Sequence, residues 1–141
     1  MSYLRAYRFR IYPDEKRQKE INQRIILAQR LYNKILERVK GEYGKGGKSK
    51  VSMATFNKYM QESINEDKDF LKLYSQTRQE VFMRLIKAYA NFFRRVKEKK
   101  QGKNIKVGFP RFKSIDRYYS IVYPQDGTKT KVSAIQIKMV S

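Results

Sequence analysis

Residues 3–12 alternate between two sets of side chains with the period of a β-strand. One set is mostly apolar or aromatic and consists of Tyr3, Arg5, Tyr7, Phe9 and Ile11. The other set includes Arg8 and Arg10. We expect a strand whose mostly apolar face lies on a core, with Arg8 and Arg10 projecting together from the opposite face. Pro13 ends this strand because it has no amide hydrogen.

Three helices are predicted next, because apolar residues recur at spacings of three and four. The first has Asp14 as its N-cap and runs for about 27 residues, ending near Gly41. Ser52 and Ser75 are the predicted caps of the second and third. The apolar faces are Ile21, Ile25, Ala28, Tyr32, Ile35 and Val39 in the first helix, Met53, Phe56, Met60 and Ile64 in the second, and Phe82, Leu85, Tyr89, Phe92 and Val96 in the third. The acidic stretch 65–69 is predicted to be a loop.

Beyond residue 106 the apolar period changes from that of a helix to that of a strand. Pro110 has no amide hydrogen and pushes Phe109 into an extended conformation, so residues 108–114 are not expected to be helical. Alternation then predicts strands at 118–123 and 131–140, with a turn at 125–128. The order of elements predicts an α+β fold, in which a lobe of three helices is inserted between strands of a partial antiparallel β-barrel. We expect its open edge to pair with a second copy of itself or with another chain, or the chain to be the front portion of something longer.

The charge of the chain restricts the classes of partner that it can bind. Its 141 residues include 33 Lys and Arg against 13 Asp and Glu, a formal net charge of +20. Self-repulsion of that size destabilises a compact state unless an anionic partner is present, and nucleic acid is favoured well ahead of a membrane. The apolar share of 40% is sufficient for a core.

The chain contains neither His nor Cys, which restricts its chemistry. It therefore has no imidazole base, no thiol nucleophile, no disulfide and none of the usual zinc ligands. We expect no catalytic residue, no metal site and no cofactor. No apolar run is long enough to cross a membrane, and no secretory signal is visible at the N-terminus. The expectation is a cytoplasmic protein.

Residues 108–114 alternate the rings of Phe109 and Phe112 with the cations Arg111 and Lys113. Cations that contact phosphates beside rings that stack on bases suit a nucleic acid. The same pattern also fits two core residues beside a solvated basic face, and the pattern alone does not decide between the two. For the two rings themselves, the flanking Gly and Pro favour packing at a domain junction over base stacking.

Several stretches together resemble the N-terminal half of the OrfB (TnpB) proteins encoded by insertion sequences. They are the basic first strand with Tyr12-Pro13 and a long helix, Ser75-Gln76 opening a helix that ends in Asn91-Phe92-Phe93-Arg94-Arg95-Val96, the heptapeptide Gly108-Phe109-Pro110-Arg111-Phe112-Lys113-Ser114, and Tyr123-Pro124-Gln125. The heptapeptide after the Phe-Phe-Arg-Arg helix end is specific, whereas the Tyr-Pro and Ser-Gln pairs are weak alone. The resemblance extends over essentially all of the chain.

Members of that family are RNA-guided DNA nucleases, so the resemblance implies the binding portion of such a nuclease, with guide RNA and target DNA as partners. It implies an oligonucleotide-binding-like wedge barrel, made of residues 1–13 and 101–141, and a helical recognition lobe over residues 14–100. Basic residues would clamp sugar-phosphate, and the first turn of the third helix would touch duplex DNA. Pattern and resemblance together give these candidate nucleic-acid-binding residues: Arg8, Arg10, Gln76, Gln79, Arg94, Arg95, Lys97, Lys106, Arg111, Lys113 and Ser114.

The chain departs from the family after the barrel. There the family carries a nuclease domain with three carboxylates that hold Mg²⁺, usually with a zinc ribbon, and neither is found in this sequence. We therefore expect Mg²⁺ only with the missing nuclease portion, and that C-terminal portion is itself an expected partner. Whether the chain acts as part of an enzyme is left open.

Two alternatives of other classes also stay open. The first alternative is a stand-alone DNA-binding or regulatory protein of a mobile element. The second is a basic assembly subunit whose sheet edge pairs with a second polypeptide. A regulator would use a helix pair without a guide. No short helix-turn-helix joint is visible in the sequence, and this counts against the regulator.

Overall fold

The elements of the computed structural model follow the predicted order. The structure describes residues 7–44, 53–123 and 135–138. Its elements are α1 (Glu15–Gly44), α2 (Phe56–Glu66), α3 (Ser75–Lys100), β1 (Ser120–Tyr123) and β2 (Ile135–Lys138), with short 3₁₀ helices at Met53–Thr55 and Lys68–Lys72. The predicted α+β class and its three helices are confirmed. Within the described ranges the strands form one antiparallel pair, so a closed barrel is not shown.

Helix α1 begins at its predicted cap. The Arg17 amide donates a hydrogen bond of 2.8 Å to Asp14 Oδ1, which satisfies one of the amides that have no partner at a helix start. The helix then runs to Gly44 rather than ending near Gly41. Among the described glycines, positive φ is confined to Gly102, so Gly41 does not adopt the conformation that terminates a helix.

Gly102 ends helix α3. Its φ of 91° lies in the left-handed region that glycine tolerates best. The amides of Gly102 and Lys103 donate to the carbonyls of Lys99 and Glu98 over 3.1 and 3.2 Å, which is the Schellman pattern of a helix C-terminus. The chain leaves α3 in a new direction and continues as residues 103–114, which have no regular secondary structure and are called the ribbon below.

The three helices and β1 share one hydrophobic core. The predicted face of α1 is buried from Ile25 to Val39, and Ile21 is partly buried against the same core. Helix α1 is therefore a central element that packs against both α2 and α3. The largest fully buried side chains are Tyr32, Tyr59, Tyr118, Phe70, Phe82, Ile25, Leu31, Ile35, Leu36, Leu85, Ile121 and Val39.

The small sheet is tied to the helices through β1. Ser120 lies opposite Lys138 and Ile121 opposite Ile137 in the antiparallel register. The Thr77 hydroxyl donates a hydrogen bond of 3.0 Å to the Val122 carbonyl, which joins α3 to β1. The strand predicted at 118–123 is found over Ser120–Tyr123, and of the strand predicted at 131–140 the described residues, 135–138, are a strand. The predicted turn at 125–128 and the predicted cap Ser52 lie outside the described residues.

The strand predicted at 3–12 is wrong over residues 7–12. This segment has no regular secondary structure, and Tyr7, Phe9 and Ile11 are 71%, 80% and 58% exposed instead of lying on a core. The Tyr7 and Phe9 rings lie on one side of the segment, 6.4 Å apart, as the alternating pattern predicts. The pattern did not specify a partner, and a strand needs one for its hydrogen bonds. The first residues of the prediction, 3–6, lie outside the described part of the chain.

The loop predicted at 65–69 is also wrong. Helix α2 continues through Glu66, and a 3₁₀ helix follows over Lys68–Lys72, with the Asp67 carboxylate accepting the Asp69 amide at 3.0 Å. The physical reason is the burial of Phe70, which draws this segment onto the core. Ser75 is the first residue of α3, and Tyr74 rather than Ser75 occupies the cap position.

A row of ion pairs joins α1 to α2 and the turn after it. Arg30 contacts Asp67 at 2.9 Å, Lys34 contacts Glu66 at 2.7 Å, and Arg38 contacts Glu62 at 3.1 Å and also Glu66. The three cations are four residues apart and so lie on one face of α1. We call this row the acidic seam. Each partly exposed pair stabilises little, but together they neutralise that face.

Two buried tyrosines differ in their hydrogen bonds. The Tyr59 hydroxyl donates to Glu42 Oε2 over 2.5 Å, whereas the buried Tyr118 hydroxyl has no hydrogen-bond partner among the described residues. The bond from Tyr59 is the main cause that lowers the pKa of Glu42 below its ordinary 4.5, with Lys58 contributing less. Burial raises the pKa of both tyrosines.

Tyr59→Phe is expected to lower the free energy of unfolding by about 1.5–3 kcal/mol, because it removes a hydrogen bond to a charged group. The low folded-state pKa of Glu42 adds stability that is present above pH 4.5 and is lost as the pH falls through that pKa. The variant should therefore also lose less stability than the wild type between neutral pH and acid. Urea unfolding at pH 7 and at successively lower pH values measures both effects.

Tyr118→Phe is the matched control, since it removes the same atom from a hydroxyl that has no described partner. It should leave stability unchanged or raise it, because a buried unsatisfied group is removed. An equal loss of stability in both variants would contradict this assignment of the two hydroxyls.

Candidate nucleic-acid interface

Positive charge is concentrated in one quarter of the chain. Residues 81–115 contain eleven Lys and Arg and a single acidic residue, Glu98, so these 35 residues carry ten of the twenty net positive charges. They form most of α3, the whole ribbon and the first residue of the turn after it. The carboxylates of Glu62, Glu66 and Asp67 lie elsewhere, in the acidic seam.

Most of these cations are unpaired within the described ranges. Arg84 is the exception, since its Nε donates to Glu80 Oε1 over 2.7 Å. No ion pair is found in the described part of the chain for the cations at 87, 94, 95, 97, 99, 100, 103, 106 and 111. Their charge is available to an external anion.

Helix α3 displays part of this charge along one exposed face. At about 100° per residue, Gln76, Met83, Lys87 and Arg94 fall within about 40° of one another around the axis. Met83, Lys87 and Arg94 are exposed, and Gln76 is half-buried. The face extends about 27 Å from Gln76 to Arg94 at the rise of an α-helix. It is polar and uncharged at the N-terminal end and basic at the C-terminal end.

The first turn of α3 lines an open groove of about 580 Å³ against α2, called the amide groove. The predicted residues Gln76 and Gln79 meet two further side-chain amides there, Asn57 and Gln61. Side-chain amides both donate and accept hydrogen bonds, which is the property that reads base edges. The groove is lined by Asn57, Lys58, Met60, Gln61, Ile64, Ser75, Gln76, Arg78 and Gln79.

A second groove lies between the C-terminal half of α3 and the ribbon, and it brings three predicted residues together. Its volume is about 450 Å³, and Arg95, Lys106 and Arg111 are among its lining residues. The aromatic rings of Phe92 and Phe109 also line it. We call it the ribbon groove; its lining is Ala88, Asn91, Phe92, Arg95, Lys106, Val107, Gly108, Phe109, Pro110 and Arg111.

Phe109 fixes the ribbon to α3. Its ring lies 4.7 Å from the Phe92 ring and 5.6 Å from the Tyr89 ring, the latter edge to face. The packing predicted for Phe109 is thus found. Phe112 differs, because it is 51% exposed and its ring is covered by the Lys40 ammonium at 4.6 Å.

The ribbon is fixed to α1 by two amide side chains. Asn33 Nδ2 donates to the Lys113 carbonyl at 2.9 Å, and the Lys113 amide donates back to Asn33 Oδ1 at 2.9 Å. Gln29 Nε2 donates to the same carbonyl at 2.7 Å. The sequence analysis did not identify Gln29 and Asn33. Their one local signal is a spacing of four residues beside the apolar stripe of α1.

The Lys113 side chain points towards the protein rather than away from it. Its ammonium lies 5.0 Å from the centre of the Tyr32 ring. Burial, and to a smaller extent the nearby Arg84 guanidinium, lower the pKa of Lys113. Arg84, which the sequence analysis also missed, lies 4.5 Å over the Tyr118 ring and donates to Ser120 Oγ over 3.2 Å. Lys113 and Arg84 therefore flank the start of the sheet.

The remaining predicted residues lie apart from the two grooves. Arg94 and Lys97 are exposed on α3. Ser114 is exposed at the end of the ribbon, where its carbonyl accepts the amides of Arg117 and Tyr118 at 3.0 Å. Arg8 and Arg10 are exposed in the segment before α1, and the Arg10 guanidinium lies 5.5 Å over the Tyr12 ring. They line neither groove.

The described ranges hold no group of three or more His, Cys, Asp or Glu residues suited to a metal ion. No helix found there has the length and apolar character needed to cross a membrane.

Comparison with known proteins places part of the chain in a family model. Residues 1–48 match the family model HTH_OrfB_IS605, described as a helix-turn-helix domain. Within that stretch the described residues 7–44 form an irregular segment and the single helix α1. Neither a curated protein nor a solved structure matched the chain.

Asn33→Ala is expected to release the ribbon from α1, because it removes two of the three hydrogen bonds that hold the Lys113 backbone. We expect a loss of about 1–3 kcal/mol in the free energy of unfolding. Limited trypsin digestion should cut faster after Lys103, Lys106 and Arg111, and mass spectrometry of the early fragments measures this. Gln23→Ala, an exposed amide on the same helix, is the control and should change neither quantity. Unchanged cleavage in Asn33→Ala would contradict the anchoring role.

Proposed function

We propose that this chain is the nucleic-acid-binding portion of a transposase-associated protein. The match of residues 1–48 to the HTH_OrfB_IS605 model supports the predicted resemblance to the N-terminal region of OrfB insertion-sequence proteins. The observation that carries the proposal is the unpaired charge of residues 81–115, which the fold separates from the acidic seam. Cations that are grouped together and kept apart from carboxylates favour binding of a polyanion over binding of scattered counter-ions.

The exposed face of α3 suits contact with a nucleic-acid backbone. Its length of about 27 Å corresponds to about eight base pairs at 3.4 Å each. Cations of the C-terminal half, such as Arg94 and Lys97, contact phosphates and position the protein without reading sequence. The side-chain amides at the N-terminal end, Gln76 and Gln79, reach base edges, and a glutamine amide pairs best with adenine.

The finer form of the proposal is that the chain binds the guide RNA and the target DNA of an RNA-guided nuclease. The family resemblance supports this form. In it, the pair β1–β2 belongs to an oligonucleotide-binding-like barrel, and α1 to α3 are the recognition lobe. The C-terminal nuclease portion, with its Mg²⁺, is then a partner that completes the open sheet.

A stand-alone DNA-binding regulator is the second candidate. The helix-turn-helix description of the matched model favours it. The connections between the described helices count against it, because α2 and α3 are joined by residues 67–74, which include a 3₁₀ helix, rather than by a turn of three or four residues. A regulator should bind duplex DNA as well as it binds structured RNA, whereas the guided form should prefer structured RNA.

The test neutralises three cations of α3 in the variant Arg94→Ala, Arg95→Ala, Lys97→Ala. Affinity for a structured RNA and for a duplex DNA is measured by fluorescence anisotropy at several salt concentrations. We expect at least a tenfold loss of affinity at low salt, and a slope of log K against log salt that is shallower by about 2–3, since each lost phosphate contact removes about 0.7–0.9.

The matched control removes the same charge from cations that are already paired, in the variant Arg30→Ala, Lys34→Ala, Lys72→Ala. It should bind nearly as the wild type does, because those side chains are engaged by carboxylates. Circular dichroism melts check that both variants fold. Equal losses of affinity in both variants would show that net charge alone causes binding and would overturn the proposed interface.

A further inference from the structure

The ribbon groove combines features that the exposed face of α3 lacks. It is concave, and its wall is aromatic, because Phe92 and Phe109 pack together at 4.7 Å. Its cations come from two different elements: Arg95 from α3, and Lys106 and Arg111 from the ribbon. No carboxylate is among its lining residues. A concave site with an aromatic wall and cations on two sides suits a ligand that is flat and anionic at once.

The size of the groove limits that ligand. A volume of about 450 Å³ lies within the usual range of about 300–1,000 Å³ for small-molecule sites, so the groove accepts one nucleotide-sized group. A paired base keeps its faces stacked inside a duplex and cannot enter. An unpaired base exposes both its faces and its edge, and aromatic side chains recognise such bases without strong sequence preference.

We propose that the ribbon groove binds one unpaired nucleotide of a nucleic-acid chain. The base lies against the Phe92 and Phe109 wall, and the adjoining phosphates are held by Arg95, Lys106 and Arg111. Asn91, which also lines the groove, supplies a side-chain amide for the base edge. This inference rests on the proposed function and adds to it the kind of nucleotide that the site selects.

The groove is held in shape before any ligand arrives. Pro110 is buried, Phe109 packs on Tyr89 of α3, and the Lys113 backbone is hydrogen-bonded to α1. The ribbon wall is therefore fixed on both sides of Arg111. A preformed site loses less conformational freedom when it binds, which favours selection of an unpaired nucleotide over general adhesion to phosphates.

The experiment compares two RNA hairpins of equal length, one fully paired and one with a single bulged 2-aminopurine. The wild-type chain should bind the bulged hairpin at least tenfold more tightly and should change the 2-aminopurine fluorescence. Hairpins of the same design in DNA form the second arm, and they show whether the selected nucleotide belongs to RNA or to DNA. Preference for a bulge in either polymer supports the site.

The groove variant is Lys106→Ala with Arg111→Ala, and the matched control is Lys99→Ala with Lys100→Ala, which removes two nearby cations that do not line the groove. Both should weaken binding to the paired hairpin similarly. The groove variant alone should lose the preference for the bulge. A second variant is Asn91→Ala, which is compatible with folding because the Asn91 side chain is exposed. It should reduce the preference for the bulged hairpin without changing the slope of log K against log salt.

The outcomes separate the two proposals. Tight, salt-sensitive binding of both hairpins without a preference in the wild type overturns the nucleotide site and leaves the proposed function standing. A preference that survives in the groove variant also overturns the site. Failure of the wild type to bind any hairpin, in RNA or in DNA, overturns the proposed function itself.

Discussion

The side chains that give the chain its net charge of +20 repel one another, and the fold limits that repulsion. Helix α1 holds three of its cations against the carboxylates of α2 and of the turn that follows, in the acidic seam. The acidic residues used there cannot neutralise α3 or the ribbon. Those elements carry ten of the net positive charges with a single acidic residue among them. The described residues therefore include a neutralised face on α1 and, apart from it, a dense region of cations without ion pairs on α3 and the ribbon, and the proposed function follows from that separation.

Helix α1 also fixes the shape of the charged region. Its core face packs against α2 and α3, and its amide side chains at Gln29 and Asn33 hold the ribbon by the Lys113 backbone. Phe109 packs the ribbon onto α3. Two cationic elements, one helical and one extended, are thereby kept on either side of an aromatic wall. Because this anchoring holds the cations in place before a ligand binds, the ligand does not need to order them, and the site is preformed.

The sequence predicted best what depends on neighbouring residues. Asp14 caps α1, and the stripe from Ile25 to Val39 is buried as its period indicates. Prediction failed where the structure of a segment depends on residues that are distant in the sequence. Residues 7–12 have the alternation of a strand, but no described strand lies beside them, and the bonds between Asn33 and Lys113 join residues 80 positions apart. Burial of Phe70 made the acidic stretch helical where its composition suggested a loop. The domain boundaries and the roles of the individual site residues remain predictions.

Lysine footprinting measures whether the cations of α3 and the ribbon act separately from those beside the acidic seam. The chain is acetylated briefly with and without a saturating structured RNA, and mass spectrometry measures the modification of each lysine. The account predicts strong protection at Lys97, Lys99 and Lys106, on α3 and the ribbon, and little at Lys68 and Lys72, which lie beside the acidic seam. Equal protection of both groups would contradict it, because the cations would then act as scattered charge rather than as one interface.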